Sequence, residues 1–517
     1  MEYMEQSDNY YLSVGRASDL KDKKERFLFR LFEILPGFLS WLFLFLIAFF
    51  SWFRPVWVAI FAIIFSVFWF FRTIYFSFCL WIGYKKMRAQ EKINWMGKLR
   101  SLPTEKLESI YHLVVIPMYK EPIEVVKDSF KRLVETDYPK DKMIVVLACE
   151  ERAREEASII AEKIEQDFGD KFFKFLITWH PAGLQGEIAG KGSNEARACK
   201  KAMELVDSLG IPYGNIIFSS FDVDTCVFSR YFSCLTYYYL TSLKPNRTSF
   251  QPVPLYVNNI WQAPVISRIF SFSSTFWHTM NQERSEQLIT FSSHSMSFEA
   301  LVEVGFKQVN AVSDDSRIFW KCFSVFNGDY TVFPLYYPVS MDANTAGSFF
   351  RTMLNIYKQQ RRWAYGAENI PYFLFCFFKN KKIPPKQKIF LGFEAIEGYV
   401  SWSTSSIVIF ILGWLPLFFG GAEFSHTLIS YNLPKIISRI MTFSMLGLVA
   451  SVYLSLILLP PKPPQYGKFR YLVFAFSWLL LPLMMIFFTA FPALEAQTRL
   501  MFGKYMGFWV TEKSRKK

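Results

Sequence analysis

The chain has 517 residues, of which 52% are hydrophobic, 19% aromatic and 20% charged, and its formal net charge is +14. So apolar a chain buries enough surface to fold, which excludes intrinsic disorder, and its 7 scattered cysteines exclude a small disulfide-stapled fold or a cysteine-rich metal module. The basic excess points to nucleic acid or to an anionic membrane face, and the placement of the charge decides between them.

Residues 1–30 are a charged leader, read as a cytoplasmic tail. Residues 31–84 read as a transmembrane hairpin. An uncharged run over 34–53 is long enough to cross a bilayer, Arg54 and Pro55 break it, and a second run over 56–84 is interrupted only by Arg72. Lys21, Lys23, Lys24, Arg26 and Arg30 precede the pair; Lys85, Lys86, Arg88, Lys92, Lys98 and Arg100 follow it. The positive-inside rule then puts both ends of the hairpin in the cytoplasm. A cleaved signal peptide does not fit, because the charged lead is long and no small-residue cleavage site follows.

Residues 85–110 read as an interfacial linker, and 111–345 change character. Four short apolar runs alternate with helical stretches: HLVVIPMY (112–119), MIVVLAC (143–149), FFKFLITW (172–179) and NIIFSSFDVD (215–224). Short, mostly apolar strands covered on both faces predict an α/β domain with a mainly parallel sheet. Ligands in such sheets bind beyond the carboxyl ends of the strands, so the polar residues that end these runs converge on one crevice. Cys149, Cys199, Cys226, Cys234 and Cys322 are expected there as reduced core residues.

Residues 346–385 are amphipathic, rich in Arg, Lys and aromatics, and predict helices on the membrane surface. Residues 386–494 carry three further apolar spans, near 399–419, 435–459 and 471–494, and 495–517 form a basic tail. Five spans leave that tail outside, whereas Arg499, Lys504, Lys513, Arg515, Lys516 and Lys517 favour the inside; either one segment is re-entrant or the count is off by one. With so much basic charge beside apolar spans, a lipid bilayer explains the excess and no nucleic acid is expected.

The chemistry-bearing residues fall in the crevice. Asp222 and Asp224 form a DxD after an apolar strand, a pair able to hold Mg2+ or Mn2+ together with diphosphate oxygens. Ser313-Asp314-Asp315 follows about 90 residues later, and Gln359-Gln360-Arg361-Arg362-Trp363 gives a QxxRW on an amphipathic helix. This ordered trio resembles the membrane-embedded family 2 glycosyltransferases, the group of the cellulose, chitin and hyaluronan synthases. The resemblance runs from Leu113 to Trp363.

The resemblance implies an α/β nucleotide-sugar-binding domain of the GT-A type inserted between transmembrane helices at the inner face of the plasma membrane. It implies an inverting, metal-dependent transfer of a sugar from a nucleotide-sugar donor, expected to be a UDP-sugar, to a glycan or lipid acceptor. Pro117 and Glu121 then lie against the nucleotide, Glu150 or Glu151 meets the base, and Lys191, with Asn194 at the helix start after it, lies near the diphosphate. Asp222 and Asp224 hold the metal, and Asp315 is the catalytic base. Gln359, Arg362 and Trp363 clamp the diphosphate and place the acceptor. Phe508, Val510, Thr511 and Lys513 resemble the FxVTxK of a gating loop over the nucleotide site.

Departures accompany the match. Lys120 stands where Asn is usual, Glu150-Glu151 replaces Asp-Asp, and Ser313-Asp314 replaces Thr-Glu. Residues 291–296, FSSHSM, replace a glycine-rich acceptor segment, which leaves His294 as a possible acceptor or diphosphate contact. The polysaccharide or cell-envelope glycan class of product is favoured. A non-catalytic nucleotide-sugar sensor or scaffold is the alternative, and a transporter is disfavoured because Arg72, Glu394, Glu397, Glu423 and Arg439 form no evident relay.

Overall fold

The structure, a computed structural model, describes residues 9–467 and 469–513. The expected basic residues Arg515, Lys516 and Lys517, and the first eight residues of the leader, lie outside the described residues. Two long apolar helices open the chain, α1 (Lys23–Phe53) and α2 (Pro55–Lys92). Asp22 caps α1 by accepting from the Glu25 amide, and Pro55 starts α2, where its missing N–H costs nothing.

An eight-stranded sheet follows, with strand order β3-β2-β1-β4-β7-β6-β8-β5. Strands β1 (Tyr111–Met118), β2 (Met143–Glu150), β3 (Lys174–His180) and β4 (Ile216–Ser220) are parallel to their neighbours in this half, as expected. Side chains alternate between two cores. Leu113, Val115, Ile144 and Val146 face one, under helix α5 (Lys191–Leu209). Val114, Ile116, Val145 and Leu147 face the other, under α3 (Ile123–Val134), α4 (Arg154–Phe168) and α6 (Tyr231–Thr241). Because β2 and β4 lie on opposite sides of β1, a crevice opens beyond the carboxyl ends of β1 and β4.

The other half of the sheet has no counterpart in the expected strands. It comprises β5 (Cys226–Val227), β6 (Thr248–Leu255), β7 (Ser295–Ser297) and β8 (Thr331–Ser340), with β7 antiparallel to both β4 and β6. Both β6 and β8 carry prolines, Pro252 and Pro254 in one and Pro334 and Pro338 in the other. These break the strand signal in the sequence and fall where the β6–β8 register slips between Gln251 and Val253. Helix α7 (Val265–Asn281) lies between β6 and β7 in sequence, and α8 (Asp314–Val325) carries the second acidic motif on its first turn.

Of the expected surface helices, α9 (Phe349–Ala364) carries QxxRW. The next, α10 (Asn369–Lys379), differs from expectation: Ile370, Tyr372, Phe373, Phe375 and Cys376 are fully buried in the core below α8, and Phe373 stacks on Trp320 at 4.3 Å. Its apolar side chains find protein rather than lipid. Then come α11 (Pro385–Phe410), α12 (Leu428–Ile457) and α13 (Phe469–Met501).

By length and composition four helices can cross a membrane, α1, α2, α12 and α13, and α11 with Leu412–Phe419 makes a fifth candidate bent by 44°. Phe424, just beyond that bend, packs with Ala59 and Ala62 at the start of α2 and with Leu433 of α12. Arg72 of α2 pairs with Glu397 of α11 at 2.5 Å. Helix α13 is tied to the α/β side at both ends: Arg470 donates to the Trp261 carbonyl (3.3 Å), and Glu495 pairs with Arg361 of α9 (2.6 Å). The leader also docks on the α/β domain, where Tyr11, Val14, Ala17 and Leu20 are buried and Gln308 donates to the Ser13 carbonyl. All seven cysteines are free and buried.

Candidate active site

The crevice is built where β1, β4, α5 and α8 end or begin. Asp222 and Asp224 lie just past β4, and Lys191 is the first residue of α5. Its ammonium donates to Asp222 Oδ1 (2.7 Å) and to Asp315 Oδ2 (3.0 Å), joining the two acidic motifs. A second lysine, Lys307, is 1% exposed and donates to Asp314 Oδ2 and Asp315 Oδ1, both at 2.9 Å, with Glu195 Oε2 at 2.6 Å. Ser220 donates to both oxygens of Glu195. Buried charge is tolerated only when paired and hydrogen-bonded, and this network meets that condition.

The electrostatics follow from burial and pairing. Burial alone would raise Asp315, but Lys191 and Lys307 beside it hold its carboxyl well below the usual carboxylate range. Glu195, fully buried, is pushed up to about 7 by desolvation despite the same two lysines. Burial works against the charge of Lys191 and Lys307, yet the surrounding carboxylates raise both above the ordinary lysine value, so both stay ammonium. His294 is fully buried, which pushes it down to about 3, so it is a neutral imidazole. Its Nδ1 donates to the Phe291 carbonyl (2.8 Å), and its Nε2 has no hydrogen-bond partner among the described residues. A carbonyl only accepts, which fixes the proton on Nδ1 and leaves Nε2 an acceptor.

Close approach explains two glycines. A Cβ on Gly192 would meet the Asp314 side chain at 2.7 Å, and one on Gly190 would meet Phe508 at 2.5 Å. The segment that replaces the glycine-rich acceptor loop keeps a glycine-like backbone: Ser293 has φ of +66°, with its hydroxyl 3.0 Å from that of Thr225. Such a conformation costs a non-glycine residue roughly 1 kcal/mol. Its neighbour Ser292 donates to Asp222 Oδ2 (2.7 Å).

The remaining expected residues fall as follows. Glu121 is buried at the β1 end and accepts from the Tyr119 amide (2.7 Å). Pro117 is in β1 opposite Ala148. Glu150 is buried and paired with Arg152, whose guanidinium covers Tyr119, whereas Glu151 is partly exposed and pairs with Arg154 (3.3 Å). Asn194 donates to the Ala148 carbonyl (2.7 Å), fastening α5 to β2. On α9, Gln359 accepts from Asn344 (2.9 Å), Trp363 lies 6.4 Å from Tyr256, and the guanidinium of Arg362 sits over Phe508 with its Nε buried and unpartnered.

The tail reaches the same place. Asn355 of α9 donates to the Glu512 carbonyl (3.0 Å), Thr511 is buried, and Lys513 forms an ion pair with Asp224. Burial disfavours that ammonium, but Asp224, Asp222 and Glu121 raise its pKa, so it remains charged. Lys307, Glu195 and Ser292 were missed in the sequence. Glu195 had one available signal, its i,i+4 spacing from Lys191 on one helix face.

Asp222 and Asp224 offer hard oxygen donors of the kind Mg2+ and Mn2+ prefer, and Asp224 already holds a positive group, the Lys513 ammonium. Among the described residues no group of three or more His, Cys, Asp or Glu is placed to hold a metal. These two carboxylates would hold a cation only if water or a ligand supplied its remaining donors.

No protein-family model and no curated protein matches the chain. Among solved structures, a mannosyltransferase from Pyrobaculum calidifontis, PcManGT, in complex with GDP-Man and Mn2+, aligns at 14% identity and TM-score 0.41, over 76% of this chain and 99% of that one. Residues 1–349 of TarS from S. aureus, in complex with UDP, align at 12% identity and TM-score 0.36, over 78% and 94%. The functional reading rests on the geometry of the chain itself.

Proposed function

We propose that the chain is a membrane-embedded glycosyltransferase that moves a sugar from a nucleoside diphosphate to a glycan or lipid acceptor with inversion. The observation that carries this is the convergence of Asp222, Asp224, Asp315, Lys191 and Arg362 on one crevice from four separate elements. Transfer needs a base for the acceptor hydroxyl and positive charge for the departing diphosphate.

Asp315 is the base, kept ionised and oriented by Lys191 and Lys307. A carboxylate between two ammonium groups is a weak base, so Lys191 is the group that must turn toward the diphosphate and release Asp315 to accept a proton. Arg362, with a free buried Nε, adds a forked donor for phosphate oxygens. A divalent cation on Asp222 and Asp224 would supply further positive charge to the leaving group. Pro117, Glu121 and Glu150 line the nucleotide side, Trp363 the acceptor side, and Phe508 and Lys513 close the crevice from the tail.

The leader and the tail both contact the α/β domain, which supports an even number of crossings. The hairpin α1–α2 and the hairpin of bent α11 with α12 supply four, and α13, anchored to that domain at both ends, dips without crossing. This reading, with the α/β domain on the cytoplasmic face, removes the conflict between five spans and a basic tail. Labelling of single cysteines by an impermeant reagent checks it: position 425 should react from the outer face, and position 467 only after permeabilisation.

The activity is tested by release of nucleoside diphosphate from a panel of nucleotide sugars with Mn2+ or Mg2+ and nanodisc-held protein. Metal-dependent release from one donor is expected. Absence of both release and donor binding across the panel contradicts the reading.

A further inference from the structure

Arg268, in the first turn of α7, is 2% exposed, and among the described residues its buried Nε and Nη1 have no hydrogen-bond partner. The face of Phe474 lies 4.2 Å from its guanidinium carbon and offers the N–H edges no acceptor. Arg470, in the first turn of α13, donates to the Trp261 carbonyl (3.3 Å), and the Trp261 ring lies 5.2 Å from that of Phe474, so both guanidinium groups meet one aromatic cluster; burial first, then the charge of Arg470, pull Arg268 down to about 10. Arg470 has its own Nε buried and unpartnered, and its guanidinium lies over Tyr466 at 5.2 Å. Lys462, in the proline-rich link between α12 and α13, donates to the carbonyls of Pro463 and Tyr466. Among the described residues no carboxylate forms an ion pair with Arg268, Arg470 or Lys462.

Two guanidinium groups brought together and desolvated without a counter-anion repel each other and forgo their hydrogen bonds. Side chains lean toward the N-terminus of their helix, so Arg268 points to the end of α7 where free backbone N–H groups add positive character. Planar N–H forks of this kind match phosphate oxygens. The pair sits where α12 ends and α13 begins, beside Trp261 and Tyr466, at the junction of the apolar helices with the α/β domain. Aromatic and basic residues at that level are the ordinary neighbours of lipid headgroups.

We propose that Arg268 and Arg470 form a phosphate-binding site, separate from the donor crevice, that takes the headgroup phosphate of a membrane lipid. The site accounts for a buried and a half-buried guanidinium that no carboxylate neutralises among the described residues. It does not depend on the glycosyltransferase reading.

Thermal unfolding of the full chain in neutral detergent tests it, with three probes: dihexanoyl phosphatidic acid, dihexanoylglycerol and inorganic phosphate. Phosphatidic acid should raise the midpoint by a few degrees with saturation, and dihexanoylglycerol, lacking the phosphate, should not. Arg268→Gln and Arg470→Gln should each weaken the apparent affinity at least tenfold. Arg470 is partly exposed, so its variant carries the test if the Arg268 variant does not fold. Equal shifts with dihexanoylglycerol, or shifts unchanged in Arg470→Gln, overturn the site. Inorganic phosphate matching the lipid at equal concentration overturns the lipid as its source.

Discussion

Two buried clusters of charge in this molecule are built in opposite ways. In the crevice, Lys191 and Lys307 are each shared among several carboxylates, and Lys513 covers Asp224. At the α7–α13 junction Arg268 and Arg470 each hold a buried Nε without an acceptor among the described residues, and Arg470 is tied to the Trp261 carbonyl. The first cluster is neutralised from within, so on the proposed function a ligand would rearrange it: Lys191 would leave Asp222 and Lys513 would leave Asp224 to admit a cation and a diphosphate. The second has donors without acceptors among the described residues, so an anion would add to it without displacing an ion pair. Self-pairing suits a site that must close and reopen in each cycle, whereas open donors suit a standing ligand.

The comparison can be broken from either side. Asp315→Asn should have the largest effect, removing a general base and lowering kcat by roughly 10^2–10^4-fold while leaving the network packed. Asp224→Asn should come next, with a loss of about 10^2-fold or more and a weaker response to Mn2+ titration, because it removes a hard-oxygen ligand and the partner of Lys513. If activity in that variant still follows Mn2+ with an unchanged midpoint, Asp224 is not a ligand.

Lys307→Met sharpens the contrast by leaving the carboxylates under-neutralised. Asp315 is held below its ordinary value by Lys191 and Lys307, so in the native protein it stays ionised far below neutral pH. Without Lys307, burial pushes it up, and the acid limb of the kcat/KM profile should move toward neutral by about one unit or more, while the rate at pH 7, above the limb, changes little. Lys307→Arg should restore the limb in part. The same sign governs stability: a depressed carboxyl stabilises above its unfolded value of about 4, and that share is lost as pH falls below it. An unmoved acid limb in Lys307→Met would make the lysine a packing element only. The smallest effect is expected of Ser293→Gly, which relieves a left-handed serine and should raise stability by about 1 kcal/mol or less in chemical denaturation, once the hydroxyl contact with Thr225 is set against it.

The parallel half of the sheet was legible because β1, β2 and β4 are short, nearly pure apolar runs. Strands β6 and β8 were not, since two prolines in each speak against a strand until the two are seen to pair beside a register slip. Motif spacing singled out Asp222, Asp315 and Arg362, which the fold brings to one crevice. The helix with Lys191 on its first turn also carried Glu195, readable from the i,i+4 spacing. Lys307 left no trace, because its meaning lies in partners brought together by α5 and α8. Arg268 and Arg470, 202 positions apart, meet only when α7 packs against α13. Hydropathy marked α13 as a span; the contacts at its two ends, through Trp261 and Arg361, are tertiary and invisible to composition.

The most direct measurement pairs donor binding with turnover in the Asp315→Asn protein, by calorimetry and by single-turnover transfer with the donor selected from the panel. The account predicts donor affinity within a few-fold of the native protein and transfer reduced by at least about 100-fold. Transfer at the native rate, with binding equally intact, would contradict the assignment of Asp315 and the chemistry built on it.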